Sequence, residues 1–189
     1  MFDRRHSIET AQWVWQPQIQ ARFQDAAAHG TRYEPTRLRT IRRLFTECFE
    51  SGAKPEAFVD LGSGKGRVCF YAETTGRFEE IVGVEFSQQL VDVANTNLAK
   101  FGAAPIEFVC EDASLYRMPD RPCLVFLANP FDERIFARFL DLNAGTFRRT
   151  RSLIAYYNDY HREVVVERDF EVLFREQRRK ISLYRAPPP

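Results

Sequence analysis

The chain has 189 residues, of which 44% are hydrophobic and 14% aromatic. This length fits one domain, and the apolar share excludes a wholly disordered chain. The 27 lysines and arginines nearly balance the 26 aspartates and glutamates. The resulting net charge of +1 gives no overall attraction to nucleic acid or to a membrane surface.

Cysteine use and hydropathy predict a cytoplasmic protein. None of the four cysteines forms a CxxC pair, and each lies in an apolar run, as buried free thiols of a reducing compartment do. The three histidines are scattered, so no metal site is expected. The chain lacks an apolar run of about 18 residues, which predicts no membrane span. The opening MFDRRHSIET lacks the apolar core of a signal peptide.

The pattern along the chain changes at about residue 33. Residues 1–32 alternate polar and aromatic side chains, and we interpret them as an N-terminal arm with some helix that acts as a partial lid. Residues 33–189 form the main domain. From Glu34 to Phe49, apolar residues recur at helical spacing. Four arginines, at positions 37, 39, 42 and 43, fall mostly on the other side of this helix, where a solvated face is expected.

After Pro55, short apolar strands alternate with amphipathic helices. The predicted strands are AFVDLG, EIVGVEF, IEFVCED, CLVFLAN and SLIAYYN. The predicted helices between them are GRVCFYAETT, SQQLVDVANTNLAKFG and DERIFARFLDLN. Ser87 caps the second of these, and Gly102 ends it. FEVLFREQ and ISLYRA then form a closing antiparallel pair.

This alternation predicts an α/β fold with a mostly parallel sheet and helices on both faces. In such sheets, ligands bind outside the carboxyl ends of the strands, near the point where the strand order reverses. The residues that carry chemistry are therefore expected just after the strands.

The first strand ends in a glycine loop, DLGSGKG, which contains Asp60, Gly62, Gly64 and Gly66. Glycines let the backbone turn tightly and approach a ligand. A phosphate-binding P-loop requires a hydroxyl residue after its lysine, whereas Lys65 is followed by glycine. A dinucleotide fold requires GxGxxG, and an acid before the loop would repel a pyrophosphate. S-adenosylmethionine carries a sulfonium and an ammonium, and it fits the acidic Asp60 best.

Acids follow the next two strands as well. Glu85 ends the second strand, where a carboxylate can accept hydrogen bonds from both ribose hydroxyls. Phe86 could lie against an adenine ring, and Asp112 follows the third strand, where it could accept from the adenine amino group. A loop cap or a surface charge could explain one acid, but three at successive strand ends indicate a common ligand.

The order of FVDLGSGKGR, GVEFS, EDA and ANPF resembles class I S-adenosylmethionine-dependent methyltransferases from about Tyr33 to Tyr157. The resemblance implies a Rossmann-like, seven-stranded sheet whose C-terminal hairpin is antiparallel, with S-adenosylmethionine as cofactor. The cofactor-binding residues that it implies are Tyr33, Thr36, Asp60, Gly62, Ser63, Gly64, Gly66, Glu85, Phe86, Asp112, Ala113 and Asn129.

A narrower resemblance concerns RYEPTRLRTIRRLF, which is similar to the Tyr-x-Pro-Thr element of a group of protein lysine methyltransferases. It implies that Tyr33 and Thr36 close over the methionine end of the cofactor. The Asn-Pro-Phe stretch also resembles the Asn-Asn-Phe of non-SET histone lysine methyltransferases. FDRRHSIETA is similar to the opening of small bacterial methyltransferase-like proteins. The chain lacks the long flanking regions of the histone enzymes, so a histone acceptor is not implied.

The fourth strand ends in Asn129, Pro130 and Phe131, which we predict to be the catalytic residues. Pro130 fixes its own φ and biases Asn129 toward an extended conformation. The amide and carbonyl oxygens of Asn129 would then accept hydrogen bonds from an incoming amine, and the ring of Phe131 would hold a planar or cationic group. An ordinary strand-to-helix turn with proline at its start is the alternative.

The sequence therefore predicts an S-adenosylmethionine-dependent methyltransferase that acts on nitrogen, with protein lysine as one acceptor. A small-molecule N- or O-methyltransferase and a cofactor-binding module without transfer activity remain alternatives. Nucleic acid is disfavoured by the near-neutral charge, and no metal is expected. The acceptor, the oligomeric state and the general base stay open. The candidate bases are Asp132, Glu133, Asp159 and His161.

Overall fold

The structure is a computed structural model that describes residues 2–14, 34–102 and 105–189. Its centre is one seven-stranded sheet in the order β3-β2-β1-β4-β5-β7-β6. The strands are β1 (Ala57–Leu61), β2 (Glu80–Glu85), β3 (Ile106–Cys110), β4 (Cys123–Leu127), β5 (Leu153–Tyr157), β6 (Glu171–Glu176) and β7 (Ile181–Arg185).

Seven α-helices are found in the described residues. They are α1 (Phe2–His6), α2 (Leu38–Glu50), α3 (Arg67–Glu73), α4 (Gln88–Phe101), α5 (Glu133–Leu142), α6 (Ala144–Thr150) and α7 (Glu163–Val166). None of the helices in the described ranges is long and apolar enough to cross a membrane.

The predicted fold class is confirmed. Strands β1 to β5 pair in parallel, and β7 pairs antiparallel with both β5 and β6. Strands β2 and β3 lie on one side of β1, whereas β4 and β5 lie on the other. The order of the parallel strands thus reverses between β1 and β4, which places the predicted binding crevice at their carboxyl ends.

Alternate side chains of each strand supply two hydrophobic cores. In β1, Val59 faces the core formed with α5, α6 and α7, while Phe58 faces the core formed with α2, α3 and α4. This period of two explains why the central strands are apolar on both faces. Asp60 shares the Phe58 side of the strand and is only 2% exposed. A buried acid in the middle of an apolar strand marks the approach to the site.

Local sequence signals set several helix ends. The Ser87 side chain accepts from the backbone N–H of Leu90 at the start of α4, and Gly102 follows its last residue with φ +104°, as predicted. Asp132 caps α5 by accepting from the backbone N–H groups of Arg134 and Ile135. Side-chain caps of this kind satisfy donors that the first turn of a helix leaves unpaired.

Two short helices were not predicted. Helix α6 has seven residues and buries only Phe147, and α7 has four residues. Such segments show too few apolar repeats to produce a readable helical period. The division into an arm of residues 1–32 and a domain of residues 33–189 stays a prediction, because residues 15–33 lie outside the described ranges.

Candidate active site

A cavity of about 220 Å³ opens at the carboxyl ends of the parallel strands. It lies where the strand order reverses, between the loops that follow β1, β2, β3 and β4. Eleven residues that the sequence predicted for the site line this cavity: Thr36, Asp60, Gly62, Ser63, Glu85, Phe86, Asp112, Ala113, Asn129, Pro130 and Phe131.

Two other predicted residues do not line the cavity but shape the loop around it. Gly64 donates its backbone N–H to Glu85 Oε2 at 2.9 Å. Gly66 has φ +86°, and a Cβ there would lie 2.5 Å from Cζ of Phe108. Gly66 is therefore required for the packing of the loop, and its predicted contact with the cofactor stays a prediction. Tyr33 lies outside the described residues.

The loop after β4 packs directly on the glycine loop. Gly62 has φ +75°, and a Cβ at this position would lie 2.2 Å from Cβ of Pro130. No side chain fits in that space, and few residues other than glycine adopt that φ. Pro130 thus closes on the backbone of the glycine loop, so that the predicted catalytic and cofactor-binding residues share one wall.

Glu85 connects the glycine loop to the start of α4. Its carboxylate accepts from the backbone N–H of Gly64 and, at 3.0 Å, from that of Ser87, and it is 4% exposed. Burial raises the pKa of Glu85 to about 7, although the backbone N–H groups of Ser87 and Gly64 oppose that rise. Each carboxylate oxygen can accept more than one hydrogen bond. The predicted role toward ribose hydroxyls therefore stays a prediction that the geometry allows.

Asp60 is a second buried carboxyl on the same wall. Burial raises the pKa of Asp60 to about 8, the thiol of Cys69 opposes this, and the nearby Glu85 adds to it. The Cys69 sulfur lies 3.8 Å from Oδ2 of Asp60. Two acids that are costly to ionise without a partner favour a cationic ligand in the cavity.

Asn129 does not have the conformation predicted from the sequence. Its φ is +56°, in the left-handed region, and not the extended value that a following proline favours. The Tyr156 hydroxyl donates to Asn129 Oδ1 at 3.0 Å, and burial raises the pKa of Tyr156, so that this hydroxyl keeps its proton. Asparagine tolerates this region better than most residues. A tertiary contact with β5 and the packing of Pro130 on Gly62 accompany this conformation.

The other residues considered around this turn have structural partners. Phe131 is 8% exposed, lines the cavity and packs 6.3 Å from the Phe136 ring centroid. Asp132 caps α5. Asp159 is buried and accepts from Arg175 at 3.0 Å and from Ser182 at 3.1 Å. Both aspartates therefore hold the fold together, which leaves their assignment as bases without geometric support.

Comparisons with known proteins agree with this geometry. Residues 58–141 match the family model described as "Methyltransferase domain". An arsenite methyltransferase from Halobacterium salinarum is 29% identical over 97 residues, which span 48% of this chain but only 25% of that protein. The chain thus matches about a quarter of that relative's length.

Solved structures show the same fold. A ribosomal protein L11 methylase from Lactobacillus delbrueckii superposes with a TM-score of 0.61 at 16% identity, over 82% of this chain and 83% of that one. A methyltransferase from Geobacter sulfurreducens in complex with S-adenosyl-L-homocysteine superposes with a TM-score of 0.50 at 23% identity, over 65% of this chain and 48% of that one. The chain therefore has the Rossmann-like fold of these methyltransferases, and residues 58–141 match a methyltransferase domain model.

The residues that line the cavity fit S-adenosylmethionine, the cofactor predicted from the sequence. The buried carboxyls of Asp60 and Glu85 suit a molecule that carries a sulfonium and an ammonium. Ser63 lines the cavity, and its hydroxyl is buried without a hydrogen-bond partner among the described residues. A buried polar group of this kind is costly unless a ligand satisfies it. Asp112 is held in place by the backbone N–H of Ser114 at 2.8 Å.

Sequence reasoning missed three charged residues of the cavity. Glu34, Arg37 and Arg67 also line it. Arg67 directly follows the last glycine of the loop, and this position was the available signal. Within the described residues, no group of three or more histidine, cysteine, aspartate or glutamate side chains could hold a metal ion.

Residues 2–14 contact the glycine loop that follows β1, and we call them the N-terminal brace. Glu9 forms an ion pair with Lys65 at 2.9 Å, and Asp3 forms one with Arg67 at 3.0 Å. The Thr10 hydroxyl accepts from Nε of Arg67 at 2.9 Å. These contacts join positions more than 50 residues apart and involve side chains that are mostly buried, so no local sequence pattern could have indicated them.

Proposed function

We propose that this protein transfers a methyl group from S-adenosylmethionine to a nitrogen atom, with a protein lysine as the first acceptor to test. The observation that carries the proposal is the position of Asn129. It lies in the same cavity as Glu85 and Asp112, at the end of β4, with its side-chain oxygen oriented by the Tyr156 hydroxyl. An oriented amide oxygen at that place can direct an amine hydrogen and so aim the nitrogen lone pair.

Methyl transfer requires positioning more than covalent chemistry. When bound, S-adenosylmethionine supplies a methyl group on a positively charged sulfur, and the acceptor nitrogen must approach in line to about 3 Å. Asn129 would orient that nitrogen, while Phe131 and Tyr157 line the cavity and exclude water. A lysine acceptor must first lose its proton, and burial beside these rings lowers its pKa in the required direction.

Arsenite, the acceptor named for the Halobacterium relative, is not favoured here. Arsenic in that oxidation state binds to thiolates, as soft ions do. Burial raises the pKa of Cys48 and Cys123 to about 12 and also raises the pKa of Cys69 well above its usual value. Cys110 is half-buried with its sulfur 3.7 Å from the carbonyl oxygen of Phe86. All four cysteines are free, and burial keeps Cys48, Cys69 and Cys123 protonated, so these residues do not offer the thiolates that arsenite requires.

The test is a survey of methyl transfer with the full chain. Purified protein is incubated with methyl-labelled S-adenosylmethionine and desalted cell extract, and protein, nucleic acid and small molecules are then separated. Label in protein that disappears in Asn129→Ala supports the proposal. Label in small molecules or in nucleic acid would show that the acceptor belongs to that fraction and is not a protein lysine. No label in any fraction, despite measured cofactor binding, would indicate a binding module without transfer activity.

Asn129→Ala should lower the rate of transfer by about 10- to 100-fold, the cost of one lost orienting interaction of about 1.4–2.7 kcal/mol. Calorimetry with S-adenosylhomocysteine should show an affinity within about twofold of the wild type. Tyr156→Phe keeps the ring but removes the donor to Asn129, and it should lower the rate by a smaller factor. If the affinity fell as much as the rate, Asn129 would be a cofactor residue.

A further inference from the structure

The turn between β6 and β7 lies at the same edge of the sheet as the cavity. Tyr157, the last residue of β5, pairs with Ile181, the first residue of β7. Because β7 runs antiparallel to β5, the turn that precedes β7 lies beyond the carboxyl end of β5. Gln177–Arg179 forms a short 3-10 helix in this turn, and Lys180 follows it with φ +50°.

Direct contacts connect this turn to the cavity. The backbone N–H of Asp159 donates to the carbonyl oxygen of Lys180 at 3.1 Å. The Lys180 ammonium lies 3.8 Å from the centroid of the Tyr160 ring, which is 60% exposed. Tyr157 and Asn158, which directly precede Asp159 and Tyr160 in the chain, line the cavity. The turn therefore borders the mouth on the β5 side.

Positive charge dominates this border. Arg178, Arg179 and Lys180 are all exposed, and one acid of the turn, Glu176, pairs with Arg179 at 3.1 Å. Arg37, also exposed, precedes α2 and lines the cavity. We call Arg37, Tyr160 and the segment 177–180 the basic rim. The rim can hold negative charge within reach of the cavity.

Helix α2 continues this positive surface along the hairpin. The guanidinium of Arg43 lies 5.0 Å from the ring centroid of Phe174 in β6, so the exposed face of α2 packs beside the last two strands. Arg39 and Arg42 are exposed on the same helix. The arginines that the sequence placed on a solvated face thus extend a surface that begins at the cavity.

Acidic side chains follow two of the strands whose carboxyl ends lie at the cavity, β3 and β4. Glu111 lines the cavity after β3, and Asp132 and Glu133 follow the Asn-Pro-Phe turn at the start of α5. A polynucleotide, which carries one phosphate per nucleotide, would be repelled there. A protein segment that presents one amine to the cavity and carboxylates to the basic rim matches both sets of charges.

We propose that the basic rim binds an acidic segment of the protein that is methylated, next to the lysine that enters the cavity. This inference rests on the proposed function, because it takes the acceptor to be a protein. It adds what that function leaves open, namely how an acceptor is chosen: the rim selects lysines that have acidic neighbours in the chain.

The test measures binding of a fluorescent peptide with one lysine among glutamates, and of a single-stranded RNA of equal charge, to the full chain. The rim variant is Arg178→Glu with Arg179→Glu. The control is Arg148→Glu with Arg149→Glu, a second exposed pair of adjacent arginines in α6. The two pairs match because each contains one arginine that forms an ion pair with an acid, Arg179 with Glu176 and Arg149 with Asp120. Helix α6 leads into the amino end of β5, away from the cavity.

The rim variant should bind the peptide at least about tenfold more weakly at low salt, and the control variant should stay within about twofold. The difference should shrink as the salt concentration rises. Equal losses in both variants would attribute binding to net charge alone and overturn the proposal. No loss in either would do the same, and tighter RNA binding that depends on the rim would make the partner a nucleic acid.

Calorimetry with S-adenosylhomocysteine separates this proposal from the proposed function. Both charge-reversal variants should bind S-adenosylhomocysteine like the wild type, since neither changes a residue that lines the cavity. Peptide binding that depends on the rim, without methyl transfer to any fraction of the extract, would refute the proposed activity and leave the rim as a binding surface. Transfer to protein that is insensitive to the rim variant would refute the rim instead.

Discussion

Replacing Asn97 by alanine tests whether the N-terminal brace holds the glycine loop. Asn97 lies on α4, is 1% exposed, and bonds the brace to the loop. Its Nδ2 donates to the carbonyl oxygens of Glu9 at 3.0 Å and Lys65 at 3.2 Å, and its Oδ1 accepts from the backbone N–H of Glu9 at 2.9 Å. The side-chain amide of Asn97 thus bonds both the backbone N–H and the carbonyl oxygen of Glu9, as the backbone of a neighbouring strand would. Alanine keeps the helix and removes all three bonds.

The expected loss of stability follows from these bonds. A net contribution of about 0.5–1.5 kcal/mol for each gives about 1.5–4.5 kcal/mol in total. Alanine has a higher helix propensity than asparagine, and this offsets the loss by about 0.5 kcal/mol. We therefore expect Asn97→Ala to lower the free energy of unfolding by about 1–4 kcal/mol. For a chain of this length, each kcal/mol corresponds to a decrease in Tm of about 2–4 °C.

The same helix provides a matched control. Asn95 is exposed, two residues away, and Asn95→Ala makes the same chemical change without removing a bond to the brace. Urea unfolding measures the stability of both variants, and calorimetry measures their affinity for S-adenosylhomocysteine. Asn97→Ala should also bind S-adenosylhomocysteine several-fold more weakly than the wild type. The reason is that Lys65 belongs to the glycine loop, and Arg67, two residues further along, lines the cavity. Asn95→Ala should match or slightly exceed the wild type in stability.

Two results would refute the reasoning. If both alanine variants unfolded at the same urea concentration, the hydrogen bonds of Asn97 would contribute nothing and the brace would not be attached through them. If Asn97→Ala were less stable but bound S-adenosylhomocysteine normally, the brace would stabilise the fold without positioning the glycine loop.

Two further predictions concern the wall of the cavity. Gly62→Ala places a Cβ 2.2 Å from Cβ of Pro130 and should abolish cofactor binding in calorimetry. Gly76→Ala, at φ +61° with nothing within 4 Å of the new Cβ, should cost only the strain of its φ, about 1–2 kcal/mol. Equal effects of the two variants would contradict the close packing of Pro130 on Gly62. The pKa of Asp60 is raised to about 8, so the folded protein retains a proton that the unfolded chain releases above about pH 4. The stability of the cofactor-free protein should therefore fall as the pH rises from about 4 to about 8. Asp60→Asn should reduce the decrease in Tm between about pH 4 and pH 8. If Tm depended on pH equally in the variant and the wild type, the raised pKa could not be assigned to Asp60.

The sequence predicted the features that repeat or that follow local rules. Three features depend on residues within a few positions of one another: the alternation of strands and helices, the caps at Ser87 and Gly102, and the acids at the carboxyl ends of β1, β2 and β3. Such short-range patterns can be recognised from the periodicity of apolar side chains and from the residue types found in turns. The fold class and eleven of the residues that line the cavity could therefore be read before the structure.

Features that depend on tertiary contact could not be predicted in this way. Asn129 has a positive φ although the following proline favours an extended residue, and in the fold it contacts Tyr156, 27 positions away. The brace joins Glu9 to Lys65, 56 positions away. The sequence also did not indicate a role for Arg178, because only the pairing of β7 with β5 brings its turn to the mouth of the cavity.

The Asn-Pro-Phe turn is where the two halves of the site meet. On one side Pro130 packs on Gly62, so that a shift of the glycine loop must move the turn. On the other side Asn129 receives a hydrogen bond from Tyr156, whose own oxygen accepts from the backbone N–H of His161 at 3.3 Å in the loop that leads to the basic rim. An ordinary strand-to-helix turn would require neither contact. Both contacts together fix Asn129 relative to the cofactor wall and to the proposed acceptor surface, as an in-line transfer between two bound molecules requires.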